Sequence, residues 1–400
     1  MIIERSQGKL KVIDACCPRA KSVIEQTPPE LQPRVNGKAA SLDEAIAAAA
    51  GHLKKAERPL LAGLGTDVDG MRAAVHLAEA SHGILDHMHG RAISNNMRVL
   101  QSRGWMTTSL TELRNRADLV VFVGTDARQF QRFYERAIWP AETMFAPKPA
   151  QRQLVYLGNG LKAPTSGAPK GIKSSQLKCP PEQLGELAGA VNAVLLGQPL
   201  NNRVASIKPD AIEKLAEQLK NAKYSVIVWA PGELPDDTAE HTIESICNLV
   251  ETLNETTRSS GFILGGGDGA TTATSVSAWL TGYPLRVSFA RGYAEYDPVA
   301  NDTQTLLDDR SVDAMLWLST LASERKVPAG ERKLPTIVIA DSEQCLESEP
   351  DVFIPAGIPG VDHIGTLIRA DSVVSLPLKQ VRDIGRTRAA DILQAIHARL

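Results

Sequence analysis

Seven short apolar runs are the feature that most constrains the fold of this 400-residue chain. Each run is rich in Val, Ile or Leu and lacks the alternation of apolar and polar residues that is typical of a strand with one face in water. The runs are 59–63, 119–124, 153–157, 224–230, 261–264, 313–318 and 336–340. Because amphipathic segments lie between them, the pattern predicts an α/β fold with largely parallel sheets that are covered on both faces.

Amphipathic segments between the runs predict helices. The clearest candidates are 42–55, 70–80 and 237–253. At the first of these, Ser41 and Glu44 have the spacing of a capping box, in which each side chain accepts a hydrogen bond from the backbone N–H of the other residue. The segment 160–178, rich in Lys, Ser, Gly and Pro, is predicted to be a loop, and the glycines and prolines of 355–378 favour turns and short strands over a long helix.

Two parts of the chain follow a similar plan, in which an apolar strand, a Gly-containing turn, acidic residues and a helix occur in the same order. The corresponding segments are 57–83 and 222–254, 117–126 and 312–320, and 153–159 and 335–341. This similarity predicts two Rossmann-like three-layer domains that face one another. Their expected boundaries are 37–178 and 179–400, after an N-terminal segment 1–36, and the domains are allowed to interleave along the chain.

Charge and cysteine content exclude several classes of protein. With 44 Lys and Arg against 46 Asp and Glu and no long basic run, the chain lacks the basic face that nucleic-acid binding needs. No apolar stretch approaches the roughly 20 residues of a membrane span, and the start lacks the pattern of a signal peptide. Five scattered cysteines cannot form a disulfide framework, so the reducing cytoplasm is the expected compartment. No pair of them has the C-x-x-C spacing that holds iron–sulfur clusters.

Two glycine-containing turns follow predicted strands. The segment 63–65, Gly-Leu-Gly, fails the dinucleotide fingerprint because position 68 is Val where the third glycine is needed, so a tight strand-to-helix turn is favoured. The second turn contains Gly265, Gly266, Gly267 and Gly269. Its consecutive backbone N–H groups could bind a phosphate or another anion, or its glycines could allow two domains to approach closely. Both interpretations stay open.

Two further candidates are a histidine pair and an arginine. His87 and His89 have the His-x-His spacing with which zinc amidohydrolases begin their metal site. A zinc site needs more ligands from later strands, and the eightfold repeat of a barrel is absent, which disfavours metal binding. Arg291, next to Gly292 at the end of a short apolar run, is a candidate anion contact, although such an arginine is more often an ion-pair partner at a domain boundary.

Five segments resemble the large (B) subunit of formylmethanofuran dehydrogenase, and in particular the cofactor-free version in the formyltransferase/hydrolase complex of methylotrophic bacteria. Each segment alone is only suggestive, but five in the right order make the resemblance specific. They are 37–63, 100–126, 289–298, 334–341 and 355–378.

The resemblance implies a molybdopterin-oxidoreductase-like fold that lacks the iron–sulfur and metal-pterin centres. Catalytic relatives hold a molybdenum or tungsten bis-pterin through the cysteine of a Cys-His-Gly motif. The matching residues here are Met88, His89 and Gly90, so a neutral thioether stands where a high-valent metal requires a thiolate. Cys16 and Cys17 cannot supply the four ligands of the N-terminal cluster, which leaves 1–36 as a remnant of that segment.

The family's Arg-Gly-Tyr-Pro motif survives in part, as Arg291-Gly292-Tyr293 followed by Ala294. The resemblance therefore implies a vestigial cofactor cleft without catalytic residues. The residues assigned to it are Met88, His89, Gly90, Arg291 and Gly292.

The function implied by the resemblance is that of a non-redox scaffold subunit with no cofactor of its own. The complex would transfer a formyl group from tetrahydromethanopterin to methylofuran and hydrolyse it to formate. Its expected partners are a formyltransferase subunit, an amidohydrolase-like hydrolase subunit that binds zinc, and a further small subunit. Two alternatives stay open: a catalytic molybdenum- or tungsten-pterin subunit, and a zinc hydrolase that uses His87 and His89.

Overall fold

Helices and strands alternate along most of the chain in the computed structural model, which describes residues 2–6, 9–14, 17–130, 132–140, 142–145, 152–330 and 333–400. The strands are β1 (Ile3–Ser6), β2 (Lys9–Val12), β3 (Arg34–Val35), β4 (Lys38–Ala39), β5 (Pro59–Gly65), β6 (Ile84–Leu85), β7 (Leu119–Val123), β8 (Gln153–Leu157), β9 (Lys173–Leu177), β10 (Ser225–Trp229), β11 (Ser259–Ile263), β12 (Val287–Ser288), β13 (Glu295–Tyr296), β14 (Ala314–Ser319), β15 (Thr336–Ala340), β16 (Val352–Pro355), β17 (Gly365–Ile368) and β18 (Ser375–Leu378). The α-helices are α1 (Pro18–Glu25), α2 (Leu42–Lys55), α3 (Val68–Ala80), α4 (Gly90–Arg103), α5 (Leu110–Arg116), α6 (Leu184–Leu195), α7 (Pro209–Asn221), α8 (Ala239–Leu253), α9 (Ala270–Thr281), α10 (Thr303–Asp308) and α11 (Ala389–His397).

All seven apolar runs form strands, which confirms the predicted α/β class with parallel sheets. The helix predicted at 42–55 is α2, and its capping box is present: the backbone N–H of Glu44 donates to Ser41 Oγ at 3.2 Å, and the N–H of Ser41 donates to Glu44 Oε2 at 2.8 Å. The loop predicted at 160–178 is wrong at β9. Its polar sequence, Lys-Ser-Ser-Gln-Leu, is suited to this place because β9 is an edge strand that, among the described strands, pairs only with β8.

The chain divides into two compact units. The first is formed by Met1–Gly90 together with Gly266–Leu400, and the second by Arg91–Gly265. The expected boundaries 37–178 and 179–400 differ from this division, because each of those ranges supplies strands to both sheets. Strand β5 pairs with β14, and β7 pairs with β10, so strand pairing joins segments that are far apart in sequence.

The sheet of the first unit has nine strands in the order β13-β12-β6-β5-β14-β15-β16-β3-β4. The five central strands, β6 to β16, are parallel to one another, and the outer pairs at both edges are antiparallel. Leu61 of β5, Leu316 of β14 and Ile337 of β15 are fully buried. Helices α2, α3, α9 and α11 belong to the same unit and pack together around the sheet.

The sheet of the second unit has five parallel strands in the order β11-β10-β7-β8-β9. Its strands correspond in position to β6-β5-β14-β15-β16 of the first unit. Each pair of similar segments in the sequence, such as 117–126 and 312–320, therefore occupies equivalent places in the two sheets. The two units share one plan, although the chain enters their sheets at different strands.

A buried arginine connects the irregular elements of the second unit. Arg152, just before β8, is fully buried and donates to four backbone carbonyl groups. The acceptors are the carbonyl oxygens of Arg114, Ala117, Ala137 and Ile138. Burial lowers the pKa of Arg152 to about 10, so the guanidinium keeps its charge at neutral pH. It thereby ties the end of α5 to the π-helical turn Tyr134–Ile138.

In the part of the chain that is described, no helix combines the length and the apolar character needed to cross a membrane.

Candidate functional site

The candidate site lies at the carboxyl ends of the parallel strands in the first unit. The order of the sheet reverses between β5 and β14, because the chain continues from β5 to β6 on one side and reaches β14 on the other. In open α/β sheets, ligands bind in the crevice outside the carboxyl ends of the strands at such a switch point. Here the residues that follow these strands are 66–67, 86–90 and 320–323.

Asp86 anchors the segment that follows β6. Its carboxylate is completely buried, and it accepts hydrogen bonds from the backbone N–H of Thr303 at 2.9 Å and the hydroxyl of Thr303 at 2.8 Å. Arg286 lies 3.3 Å away and also pairs with Asp302. The backbone N–H of His87 donates to Asp86 at 2.9 Å. The segment that carries both histidines is therefore held by a buried network of charges.

His87 is a buried, neutral ring whose two nitrogens are both in use. It is 2% exposed, and its Nδ1 accepts the backbone N–H of His89 at 3.0 Å. The proton is therefore on Nε2, which donates to the carbonyl oxygen of Asp268 at 3.1 Å. Burial, together with the neighbouring His89, lowers the pKa of His87 to about 3.

We expect His87 to destabilise the protein as the pH falls below about 6.5, the ordinary pKa of its ring. Between that pH and about 3, the unfolded chain binds a proton that the folded chain does not, so the free energy of unfolding falls by about 1.4 kcal/mol per pH unit. His87→Gln does not titrate, and its loss of stability between pH 8 and pH 5 should be about 2 kcal/mol smaller than that of the unaltered chain. Urea unfolding at the two pH values measures this difference, and equal losses would contradict it.

Asp268 joins three segments of the first unit. Its Oδ1 accepts from Arg19 at 2.8 Å, and its Oδ2 accepts from Nε2 of His89 at 2.9 Å. Since a guanidinium only donates, the 3.2 Å contact between Arg325 and Nδ1 of His89 leaves the ring proton on Nε2. Burial alone would raise the pKa of Asp268, but the hydrogen bonds from His89 and Arg19 outweigh it and hold that pKa well below its usual range.

Two glycines of the run 265–269, Gly266 and Gly269, permit close approach of neighbouring segments within the first unit. Gly266 and Gly269 have positive φ values of 78° and 77°. A Cβ atom on Gly269 would lie 2.9 Å from the carbonyl oxygen of Thr66, and one on Gly266 would lie 3.2 Å from Cα of Ala370. For Gly265 and Gly267 there is no such steric requirement. The run leads directly into α9.

The turn at 63–65 differs from the predicted strand-to-helix turn, because β5 continues through it to Gly65. Gly63 has φ 79°, and a Cβ there would lie 2.7 Å from the carbonyl oxygen of Leu318. The pairing of β5 with β14 shifts register at this level. Gly63 therefore belongs to a β-bulge, and the N-cap of the following helix is Asp67.

Met88 and the cysteines do not fit a molybdenum or tungsten pterin. Met88 Sδ accepts a hydrogen bond from Ser323 Oγ at 3.4 Å, and its side chain packs against the core of the first unit. Burial raises the pKa of Cys179, Cys247 and Cys345 to about 11, so these thiols are protonated at neutral pH. Cys17 caps α1 by accepting from Ala20 N–H at 3.3 Å. Cys16 lies outside the described residues.

The alternative of a zinc site at His87 and His89 does not fit the hydrogen bonds. A zinc ligand must present a free lone pair on a ring nitrogen. Each ring has one nitrogen that accepts a hydrogen bond and one that donates, to Asp268 in both cases. In the portion of the chain with described side chains, no group of three or more potential ligands is arranged to hold a metal.

Arg291 and Gly292 are not brought together with Met88, His89 and Gly90. They lie in the connection between β12 and β13, and β12 is antiparallel to β6. Because Phe289 N–H donates to the carbonyl of Gly83, before β6 begins, this connection lies at the opposite end of β6 from the histidines. Arg291 pairs with Glu295 at 3.2 Å, and its side chain is 71% exposed.

Sequence reasoning missed the charged partners of the histidines. Arg19, Asp268 and Arg325 lie far apart in the chain, and none of them forms a recognised motif with His89. One signal was available in the sequence, since Asp268 interrupts a run of glycines. The structure then gives Asp268 a left-handed backbone, with φ 50°. A charged residue in such a conformation indicates that its side chain makes specific contacts.

Comparisons with known proteins agree with this fold. No protein-family model matches the chain. The B subunit of the formyltransferase/hydrolase complex Fhc of Methylorubrum extorquens is 30% identical over 372 residues, which cover 92% of this chain and 97% of that protein. The B subunit of tungsten-containing formylmethanofuran dehydrogenase 2 of Methanocaldococcus jannaschii is 27% identical over 347 residues, which cover 85% of this chain and 79% of that protein.

A solved structure supports the same assignment. A chain in the X-ray crystal structure of the formyltransferase/hydrolase complex FhcABCD from Methylorubrum extorquens, in complex with methylofuran, matches with a TM-score of 0.78 and 30% identity. The match covers 92% of this chain and 98% of that chain. These findings confirm the resemblance expected from the five sequence segments. The chain belongs to the family of the formyltransferase/hydrolase complex B subunit, to which the B subunit of formylmethanofuran dehydrogenase is related.

Proposed function

We propose that this chain is a non-redox scaffold subunit of a formyltransferase/hydrolase complex. The complex transfers a formyl group from tetrahydromethanopterin to methylofuran and hydrolyses the product to formate. The observation that carries the proposal is the match to the B subunit of such a complex over nearly the full length of both chains. The contacts of Met88 add support, because its thioether is directed to Ser323 and the core.

The chemistry belongs, in this proposal, to the partner subunits. A formyltransferase subunit and an amidohydrolase-like hydrolase subunit with zinc carry the two reactions, and a further small subunit completes the assembly. Methylofuran and tetrahydromethanopterin are used by the complex, and this chain holds no cofactor. Met88, His89 and Gly90 are remnants of a cofactor site. Arg291 and Gly292 match the family's motif but lie at the opposite end of β6, and none of these five residues has a catalytic role.

Met88→Leu should leave the complex intact and its rates within about twofold of the original. The substitution removes the sulfur but nearly conserves the volume, so the free energy of unfolding should fall by less than about 1.5 kcal/mol. Formate production from the formylated carrier is the measurement. A loss of about 100-fold or more in kcat, as seen when a transition-state donor is removed, would contradict the scaffold role.

Arg291→Ala is the matched comparison for Met88→Leu, because Arg291 is exposed and lies at the opposite end of β6. It too should leave both reactions nearly unchanged. A large loss in only one of the two variants would assign a role in the reaction to that residue.

Purification of the tagged chain from its own cells tests the proposal as a whole. We expect formyltransferase and hydrolase subunits to co-elute in fixed proportion. Recovery of the chain without either subunit would refute membership of the complex. Stoichiometric molybdenum or tungsten that remains after separation from the partners would instead support a redox subunit.

A further inference from the structure

Asp268 has a backbone conformation that glycine, the residue on either side of it, adopts more easily. The four remaining positions of the segment 265–269 are all glycine. Asp268 has φ 50° and ψ 34°, in the left-handed region. A side chain is strained there, and glycine is not. The carboxylate must therefore make contacts that compensate for the strain.

Both carboxylate oxygens receive strong donors. Arg19 donates to Oδ1 at 2.8 Å and His89 donates to Oδ2 at 2.9 Å, and only 9% of the Asp268 side chain is exposed. Arg19 is itself fixed by the carbonyl oxygens of Leu321 and Ala322, at 3.0 and 2.7 Å. Charge-assisted hydrogen bonds of this length are among the stronger ones in proteins.

The donors are arranged as they would be around a bound anion. Arg19 comes from α1, His89 from the segment after β6, and the turn that leads into the 12-residue helix α9 lies against them. Arg325 adds a second guanidinium behind His89. The group lies at the switch point between β5 and β14, where α/β proteins bind anionic ligands. Here the anion is part of the chain.

We infer that Asp268 is an internal anion that occupies a phosphate-binding position and closes it to phosphate-containing ligands. The carboxylate uses the hydrogen bonds of Arg19 and His89 that an external phosphate would need. This explains in physical terms why the site does not fit a cofactor with phosphate groups, beyond the change at Met88. The inference does not depend on membership of the formyltransferase/hydrolase complex.

Removal of the carboxylate should open the position. Without Asp268, the guanidinium group of Arg19 and the Nε2–H of His89 face the space without a negative partner, while Arg325 stays on the Nδ1 side of the His89 ring. Asp268→Gly also relieves the backbone strain, so this variant keeps a favourable conformation of the turn. An anion with several oxygens, such as pyrophosphate, can then bridge the donors.

The test uses the full chain, with any subunits that purify with it, and inorganic pyrophosphate at constant ionic strength. Isothermal titration should show saturable binding to Asp268→Gly at least tenfold tighter than to the unaltered chain. Asp308→Asn is the matched control, since it removes an exposed carboxylate of the same unit. Adding Arg19→Gln to Asp268→Gly should weaken the binding at least tenfold.

Two results would overturn the inference. One is equal affinity for pyrophosphate in the unaltered chain and Asp268→Gly, because the position would then not be closed. The other is a folded Asp268→Gly variant that binds no better than Asp308→Asn. If circular dichroism shows that Asp268→Gly is unfolded, Asp268→Asn serves the same comparison, since asparagine tolerates the left-handed region and carries no charge.

Discussion

Replacement of Arg152 by methionine is expected to lower the free energy of unfolding by about 3–5 kcal/mol. Methionine fills a similar space but donates no hydrogen bonds. Four carbonyl groups, at the end of α5 and in the turn Tyr134–Ile138, would each lose a donor in a buried environment. A buried acceptor without a partner costs about 1–3 kcal/mol, and partial relaxation limits the total.

Arg152→Lys is the matched variant, because it keeps the positive charge and loses the fork of five N–H donors. We expect its stability to lie between that of the original chain and that of Arg152→Met. Urea unfolding followed by circular dichroism measures all three. A loss below about 1 kcal/mol for Arg152→Met would show that the carbonyl groups find other donors, and the proposed tie between the two elements would then be wrong.

The strands were predictable because parallel strands buried on both faces leave a strong local signal. Leu119–Val123 and Thr336–Ala340 are apolar at every position or nearly so, and that pattern does not depend on the rest of the fold. The strand Lys173–Leu177 lacks the signal because it is at the edge of the sheet, with a partner on one side among the strands that the structure describes. The helix α11 (Ala389–His397) was not predicted at all, although its apolar residues face the core and four of them are 2% exposed or less.

The division into units and the charged site were not predictable in the same way. Which strand pairs with which depends on contacts across more than 200 residues, as between β5 and β14. The charged site also depends on contacts between distant parts of the chain, since Arg19 and Asp268 are 249 positions apart in the sequence. Local sequence identified His89 through its spacing to His87, but the hydrogen bonds that decide the chemistry of both rings come from the tertiary structure.

Gly90→Ala should cost about 3–5 kcal/mol of unfolding free energy, although alanine is the better helix former. The family resemblance assigns Gly90 to a vestigial cofactor site, and the structure gives a steric reason for a glycine at this position. A Cβ atom at this position would lie 2.1 Å from Oδ1 of the buried Asp86. The carboxylate would have to move, and its hydrogen bonds from Thr303 and His87 and its pairing with Arg286 would be broken or lengthened.

Gly51→Ala is the control for Gly90→Ala, because a Cβ on Gly51 in α2 meets no atom within 4 Å. This control should raise the free energy of unfolding by up to about 1 kcal/mol. If the collision with Asp86 is the cause at position 90, Asp86→Ala alone should be about as costly as Gly90→Ala, and the double variant should cost little more than either. Additive losses in this double-mutant cycle would mean that Gly90 is required for another reason, because residues that act through one contact do not add.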